Sequence, residues 1–400
     1  MLDMKIKKNL LLKLSLTFLF CAFTVNNLVI SVESYFFISY FRSFLIAGLL
    51  LSLFLCLMVF RLPISLIFSL VFFIFLSFLN LIFRIEDFDF VLLRDLFLIV
   101  VGSIVIFLLL DNYHEKFERS FSIFLILYFF IIILFILLSN SILLDFPPRF
   151  NFSYGSELIN RTETYSLGVT NFFGLMSIAL VNAYVKKFRY GFLFLISSYL
   201  ALFLSMLGGA RGEFVFAVLI HFLVLMFCNF DIRRFISLFI GLMLFLVIFI
   251  SYVDFNSIIA EVELFKRLES LAGGDLSFRD VLIFEAVILL KNNPGCLLIG
   301  CGPSYFQYYY GYSEGLYPHN SLLEFIISYG VVFFTIFGIV SMLGVYKFFR
   351  KTGWASLILM IFFFLFLVSL KSGYLLGSWF LMSLLFAFSA FFMKHISTRF

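Results

Sequence analysis

Apolar residues in this chain gather into runs of about twenty, separated by short clusters of basic, acidic or glycine-containing sequence. A bilayer core about 30 Å thick takes roughly 20 apolar residues per crossing helix. By that measure the pattern predicts about twelve spans, at 10–32, 36–60, 62–83, 91–110, 121–141, 168–185, 190–207, 214–229, 235–252, 320–345, 354–371 and 376–393. The expected fold is an all-α polytopic membrane protein, one integral membrane domain over 1–400. As one helix, the run from 190 to 229 would be about 60 Å long, twice the hydrocarbon thickness. It reads instead as two spans joined by a turn at Gly208-Gly209-Ala210-Arg211-Gly212-Glu213, where three glycines permit tight backbone geometry. The first run has a basic start but no small-residue cleavage site, and reads as a retained helix.

Composition removes the competing classes. Of 400 residues, 64% are apolar and 13% charged. A soluble domain has about 45–50% and about 25%, so a soluble multidomain enzyme is excluded. With 64 Phe and only 6 Pro, disordered and collagen-like chains are excluded too. Five Cys with no CxxC pair indicate neither a disulfide framework nor a zinc site. The formal charge of +5 says less than the placement of the charges. With both termini cytoplasmic, the inner loops hold most of the Lys and Arg, including Arg119, Lys186, Lys187, Arg350 and Lys351, and few of the acids. That split satisfies the positive-inside rule. Every inner loop is then short, and two outer segments, 142–167 and 253–319, are long. Chemistry is expected on that outer face, because connecting segments carry function when a rigid scaffold holds them.

Three residues there stand out. Arg211 sits at the membrane boundary within the glycine turn, where a large anionic group can approach the backbone; a snorkelling Arg paired with Glu213 is the plainer alternative. Arg279 follows Ser277 in a stretch that reads as a helix start, with Ser277 as cap, Asp280 three residues on, and the helix running to about Lys291. A cation in a first turn opposes the helix dipole unless an anion binds there; a simple pair with Asp280 or Glu285 is the alternative. His319 lies in Tyr317-Pro318-His319-Asn320-Ser321, just before a span, with Ser321 and Glu324 as a capping box. A helix start beside the imidazole disfavours its protonated form and suits it to act as a general base. Arg161, in the first long outer segment, adds to an anionic site.

Other features carry less. Glu86-Asp87-Phe88-Asp89 could hold a divalent cation, but acids in a short exposed loop are most often simply solvated, so no metal site is expected. Cys296 and Cys301 could bridge in an oxidising compartment, though the run Gly295-Cys296-Leu297-Leu298-Ile299-Gly300-Cys301-Gly302 favours small apolar positions. Adjacent Arg94 and Asp95 point to different faces of a helix and are expected to find other partners.

The chain resembles the bacterial O-antigen polymerase and O-antigen ligase family of integral membrane glycosyltransferases. The resemblance rests on Gly208 to Glu213; on Arg279 followed by Gly295 and Leu298-Ile299-Gly300-Cys301-Gly302; and on Pro318-His319-Asn320-Ser321-Leu322-Leu323-Glu324 with Gly330 beyond. These cover about 205–335 in the family's order, around a large outer loop. One departure is Ala210, where family members often carry a hydroxyl residue before the Arg. The resemblance implies a GT-C-like architecture, with short helices in the large periplasmic loop and residence in the bacterial inner membrane. It implies an oligosaccharide joined through diphosphate to undecaprenol as substrate, and glycosyl transfer in lipopolysaccharide biosynthesis at the periplasmic face. It further implies a site without metal or cofactor, in which Arg211 and Arg279 bind the diphosphate and His319 activates the acceptor hydroxyl. Arg267, Glu213 and Arg161 are further candidates for sugar or phosphate, with Asn320 and Tyr317 beside the histidine. Tyr305 and Tyr308 to Tyr310 could stack on sugar rings or belong to an interfacial belt. Membrane lipid and a chain-length regulator protein are expected partners; nucleic acid is not. The resemblance, in its Phe-rich character, is nearer to the polymerases than to a ligase that moves finished glycan to lipid A–core, though no single residue separates the two. A transporter of lipid-linked sugars or ions would place charges near the midplane in repeated halves, whereas here they gather at one face.

Overall fold

The computed structural model describes residues 11, 13–19, 35–60, 62–81, 90–138, 142–145, 149–152, 166–188, 190–207, 210–227, 278–312, 317–372 and 378–397. Helices stand where the apolar runs lie. The first three are α1 (Tyr35–Leu57), α2 (Ile64–Leu81) and α3 (Phe90–Leu138). Helical residues 13–19 dock on α1 through a small polar cluster, in which the Ser15 and Ser52 hydroxyls lie 2.9 Å apart and Cys56 Sγ is 3.0 Å from Ser15. Small hydroxyl residues let apolar helices approach closely and bond across the gap.

The 49-residue α3 is broken at Tyr113 (φ −145°, ψ 36°). Ser383 donates to the Ile99 carbonyl (3.1 Å), Gly102 abuts Trp379, and Phe121 lies 6.2 Å from Phe380. Along a straight helix Ile99 and Phe121 would be about 30 Å apart, so the chain turns back at Tyr113 and the halves lie alongside each other. The expected spans 91–110 and 121–141 are these halves; the loop expected between them is helical apart from its turning residue. Arg94 and Asp95 pair directly, with Nε 2.7 Å from Oδ1. The long guanidinium arm reaches around the helix, so the two adjacent side chains also meet each other.

Next comes a short hairpin, β1 (Ile142–Asp145) and β2 (Arg149–Phe152), antiparallel with Ile142 opposite Phe152. It departs from the all-helical expectation. Pro147 and Pro148 in the connection cannot continue a helix, and short antiparallel pairing satisfies the backbone there instead.

The bundle continues with α4 (Ser166–Val185), α5 (Gly191–Leu207) and α6 (Arg211–Phe227). The last two are the pair of spans expected from 190–229, and α4 packs closely on both. The expected span at 235–252 lies outside the described residues. Then follow α7 (Phe278–Asn292), two single-turn helices α8 (Pro294–Ile299) and α9 (Tyr305–Tyr310), and the long helices α10 (Ser321–Thr352), α11 (Leu357–Ser372) and α12 (Trp379–Ser397).

Two cores result. The large one joins α1–α6 with α10–α12, and phenylalanine supplies its keystones: Phe73 of α2 lies 5.0 Å from Tyr329 and 4.9 Å from Phe386. The small one joins α7, α8 and α9 to the first turns of α10, through Leu282, Ala286, Leu289, Phe306 and Ile327. The exterior is also apolar. On α2, Ile64, Phe68, Val71 and Phe75 are exposed, spaced three or four residues apart on one face. By length and composition, α3 and α10 are each able to cross a membrane, and shorter apolar helices surround them.

Candidate functional site

The site is built on a break. At Gly330 the backbone of α10 leaves the helix (φ 79°, ψ 159°), which frees carbonyls that the next turn would have bonded. Cys301 N–H donates to the Ile327 carbonyl (2.7 Å) and Gly302 N–H to that of Ser328 (3.0 Å). The end of α8 thus completes the broken turn of α10. Gly300 (φ 85°) and Gly330 meet in this clasp. A Cβ on Gly300 would lie 2.5 Å from the Ser328 carbonyl oxygen, and one on Gly330 would be 2.6 Å from Ile299 Cα and would overlap the Leu298 carbonyl. Both backbones occupy a region open essentially to glycine alone. Cys296 and Cys301 are joined by a disulfide, with Cα atoms 4.8 Å apart. This corrects the preferred sequence reading: the α8 turn and the positive-φ exit at Gly300 bring the two thiols within bonding reach.

His319 sits at the mouth of the same helix, half-buried and in the left-handed region (φ 51°). Its ring lies 4.1 Å from that of Tyr317. Asn320 is the true N-cap of α10, its side chain accepting from Leu322 N (3.0 Å) and Leu323 N (3.1 Å). Ser321 is the first helical residue, so the expected Ser321–Glu324 box is out of register by one. Asparagine caps at least as well as serine, and the left-handed turn at His319 sets it in place. Leu323, one turn beyond, packs into the small core with Leu282 of α7. The helix starts that carry Arg279 and His319 therefore belong to one small subdomain. As expected from sequence, α7 begins at Phe278 and ends one residue past Lys291; Ser277 lies outside the described residues.

Glu285 of α7 anchors the tyrosines. Its carboxylate accepts from Tyr312 (2.8 Å) and its carbonyl from Tyr310 (2.9 Å). The hydrogen bond to this carboxylate raises the Tyr312 pKa, and burial, helped by the same charge, raises that of Tyr310. Tyr308 and Tyr309 remain exposed on α9.

On the other side lies the start of α6. Ala210 N–H donates to Thr170 Oγ1 (3.2 Å), and Ser205 Oγ donates to the Thr170 carbonyl (2.9 Å), so α4 holds the turn between α5 and α6. Arg211 is the first residue of α6. Glu213, fully buried, pairs with Lys371 near the end of α11, Nζ 2.8 Å from Oε2. The lysine arm lies over Gly212, where any Cβ would overlap its Cδ. The sequence reading missed Lys371: it closes an apolar run and meets its acid across 158 residues. Its one signal was Gly212, a small residue beside a buried acid.

The two sides meet at a cavity of about 380 Å³ between α10, α11 and α12. Ser321, two residues after His319, and Ser369, two before Lys371, line it together; Phe325, Phe337 and Met382 make its wall apolar. The structure thus places the start of α10 and the Lys371–Glu213 pair on one end of the bundle. The opposite end of α11 carries a different cluster, with Lys186 2.8 Å from Glu118 and Ser356 bonded to the same carboxylate. The side chains of Arg211 and Arg279, and Arg161, Arg267 and Glu86 to Asp89 altogether, lie outside the described residues. Among the described residues no group of acids, histidines and cysteines is arranged to hold a metal ion.

Removing one member of a buried ion pair strands the other charge, at about 3–5 kcal/mol. Lys371→Met is therefore expected to lower the melting temperature of the purified protein sharply, and Lys371→Met/Glu213→Gln to recover most of the loss. A melting temperature unchanged by the single substitution would show that the pair contributes nothing to the fold.

Neither a protein-family model nor a curated protein sequence matches this chain.

Proposed function

We propose that this chain is a polytopic inner-membrane glycosyltransferase of about twelve spans. On this reading it is an O-antigen polymerase that moves a nascent glycan from undecaprenyl diphosphate onto a new lipid-linked repeat unit. The observation that carries the reading is the cavity that begins between Ser321 and Ser369. It sets the His319 end of α10 beside the end of α11 that carries the Lys371–Glu213 pair, with an apolar wall leading away between helices. A polyprenyl chain suits such a wall, and a diphosphate is assigned to its mouth, near the start of α6 at Arg211.

The chemistry follows from charge. Breaking a sugar–diphosphate bond develops negative charge on the leaving oxygens, and preorganised cations stabilise it. Arg211 and Arg279 are the cations assigned to that work. His319 takes the proton from the acceptor hydroxyl as the new glycosidic bond forms. Its left-handed backbone is a local strain of the kind held at functional sites. The Cys296–Cys301 disulfide supports a periplasmic site, because such bonds persist in oxidising compartments.

The test is a deletion strain examined for its lipopolysaccharide. A single repeat unit on the core supports the polymerase, free lipid-linked polymer reassigns the chain as a ligase, and unchanged glycans remove both readings. In the same strain Arg211→Lys is expected to restore only a small fraction of the long chains, because lysine cannot make the bidentate fork to phosphate. Wild-type chain lengths would take Arg211 out of phosphate binding.

A further inference from the structure

The end of the bundle away from His319 holds a second, larger cavity, about 760 Å³, between the second half of α3, the α4–α5 connection and the end of α10. Its size falls within the range of small-molecule sites. Charged side chains converge on it: Arg119, Lys186, Lys187 and Lys351, with Glu118, and with His114 and Glu115 also on its wall. The charges do not cancel. Glu118 is buried and consumed by Lys186 and Ser356. Glu115 is exposed and lies 3.9 Å from His114. Among the described residues, Arg119, Lys187 and Lys351 form no ion pair, and Lys351 rests over the Phe391 ring at 5.5 Å. The backbone is bent to make this cup. Lys187 and Tyr190, flanking the connection, both have left-handed φ, at 56° and 68°. Left-handed residues other than glycine cost free energy, and a solvated basic loop has no need of two.

The rim is apolar on both sides. Ile123 and Phe194 belong to the cavity wall. From there exposed stripes one turn apart run along each helix: Ile123, Leu127, Ile131 and Leu134 on α3, and Leu193, Ile196 and Leu200 on α5. A soluble anion has no use for these stripes, whereas a lipid with two acyl chains would lie along both.

We propose that this cup binds the phosphate head group of an anionic phospholipid from the surrounding leaflet, with its acyl chains along the α3 and α5 stripes. The site rests on the bilayer reading alone and stands whether or not the opposite end carries out glycosyl transfer. Unpaired cations at a membrane surface attract anionic head groups, and a pocket between helices converts that attraction into a defined position.

The test uses the purified full-length protein in detergent, titrated with phosphatidylglycerol or phosphatidylethanolamine and read by native mass spectrometry. Phosphatidylglycerol is expected to bind in preference to phosphatidylethanolamine. Arg119→Gln/Lys187→Gln/Lys351→Gln is expected to weaken its binding on the order of a hundredfold, with each single variant giving roughly a fivefold loss. The single variants decide the matter if the triple variant does not fold. Equal binding of the two lipids, or variants that retain phosphatidylglycerol like the wild type, would overturn the proposal. So would displacement of the lipid by millimolar inorganic phosphate or pyrophosphate, which would make the cup a site for soluble anions.

Discussion

Alanine at position 319 is expected to stop glycan extension, cutting the rate by about 10²–10⁴-fold, the usual contribution of a general base. The amount of protein in the membrane should stay at the wild-type level, because His319 precedes the helix it adjoins and the cap is Asn320. Chain length on lipopolysaccharide and the abundance of the protein in membrane fractions are the two measurements. The fold gives a reason to expect so clean a separation. The small core that fastens this end uses Leu282, Leu289, Phe306 and Ile327, not the imidazole. Long chains made by the alanine variant would mean that the proton leaves by another route, and the site would have to be rebuilt without this histidine.

The second large effect concerns stability. Gly330→Ala places a methyl group against the Leu298–Ile299 backbone in a conformation (φ 79°, ψ 159°) that other residues avoid. The conformational strain alone costs about 1–3 kcal/mol. The overlap is with backbone, which cannot rotate aside, so the clasp must open and release the hydrogen bonds from Cys301 and Gly302. A total above about 3 kcal/mol is large against the 5–15 kcal/mol that typically separates folded from unfolded chains. The variant should melt well below the wild type or fail to accumulate. Gly338→Ala is the control. It lies in the same helix with nothing within 4 Å of the added methyl, and alanine there should be neutral or stabilising by about 0.5–1 kcal/mol. Similar melting of both variants would show that the clasp does not hold α10.

How legible this was from sequence depends on the range of the interaction. The spans expected at 36–60, 62–83 and 190–207 match α1, α2 and α5 closely, because an apolar run bounded by charge or glycine is a local signal. The start of α7 at Phe278 was legible for the same reason. Register at a cap was not. Asn320 and Ser321 are both good capping residues, and only the left-handed turn at His319 selects between them. Pairings across the fold left no local trace. Lys371 looked like the end of a hydrophobic run, and Cys296 and Cys301 like small apolar fillers, until α8 was seen to curl. Gly300 and Gly330 were each visible as glycines in a resembling motif, but sequence does not say that they press against each other. The reversal at Tyr113 is the opposite case: the sequence asked for a loop, and the chain turned within a single residue.

The clasp at Gly330 is made of main-chain groups, the Cys301 and Gly302 N–H groups donating to the Ile327 and Ser328 carbonyls. Side chains elsewhere on α8 and α10 can therefore vary without loosening it, and tolerance for the tight approach rests with Gly300 and Gly330.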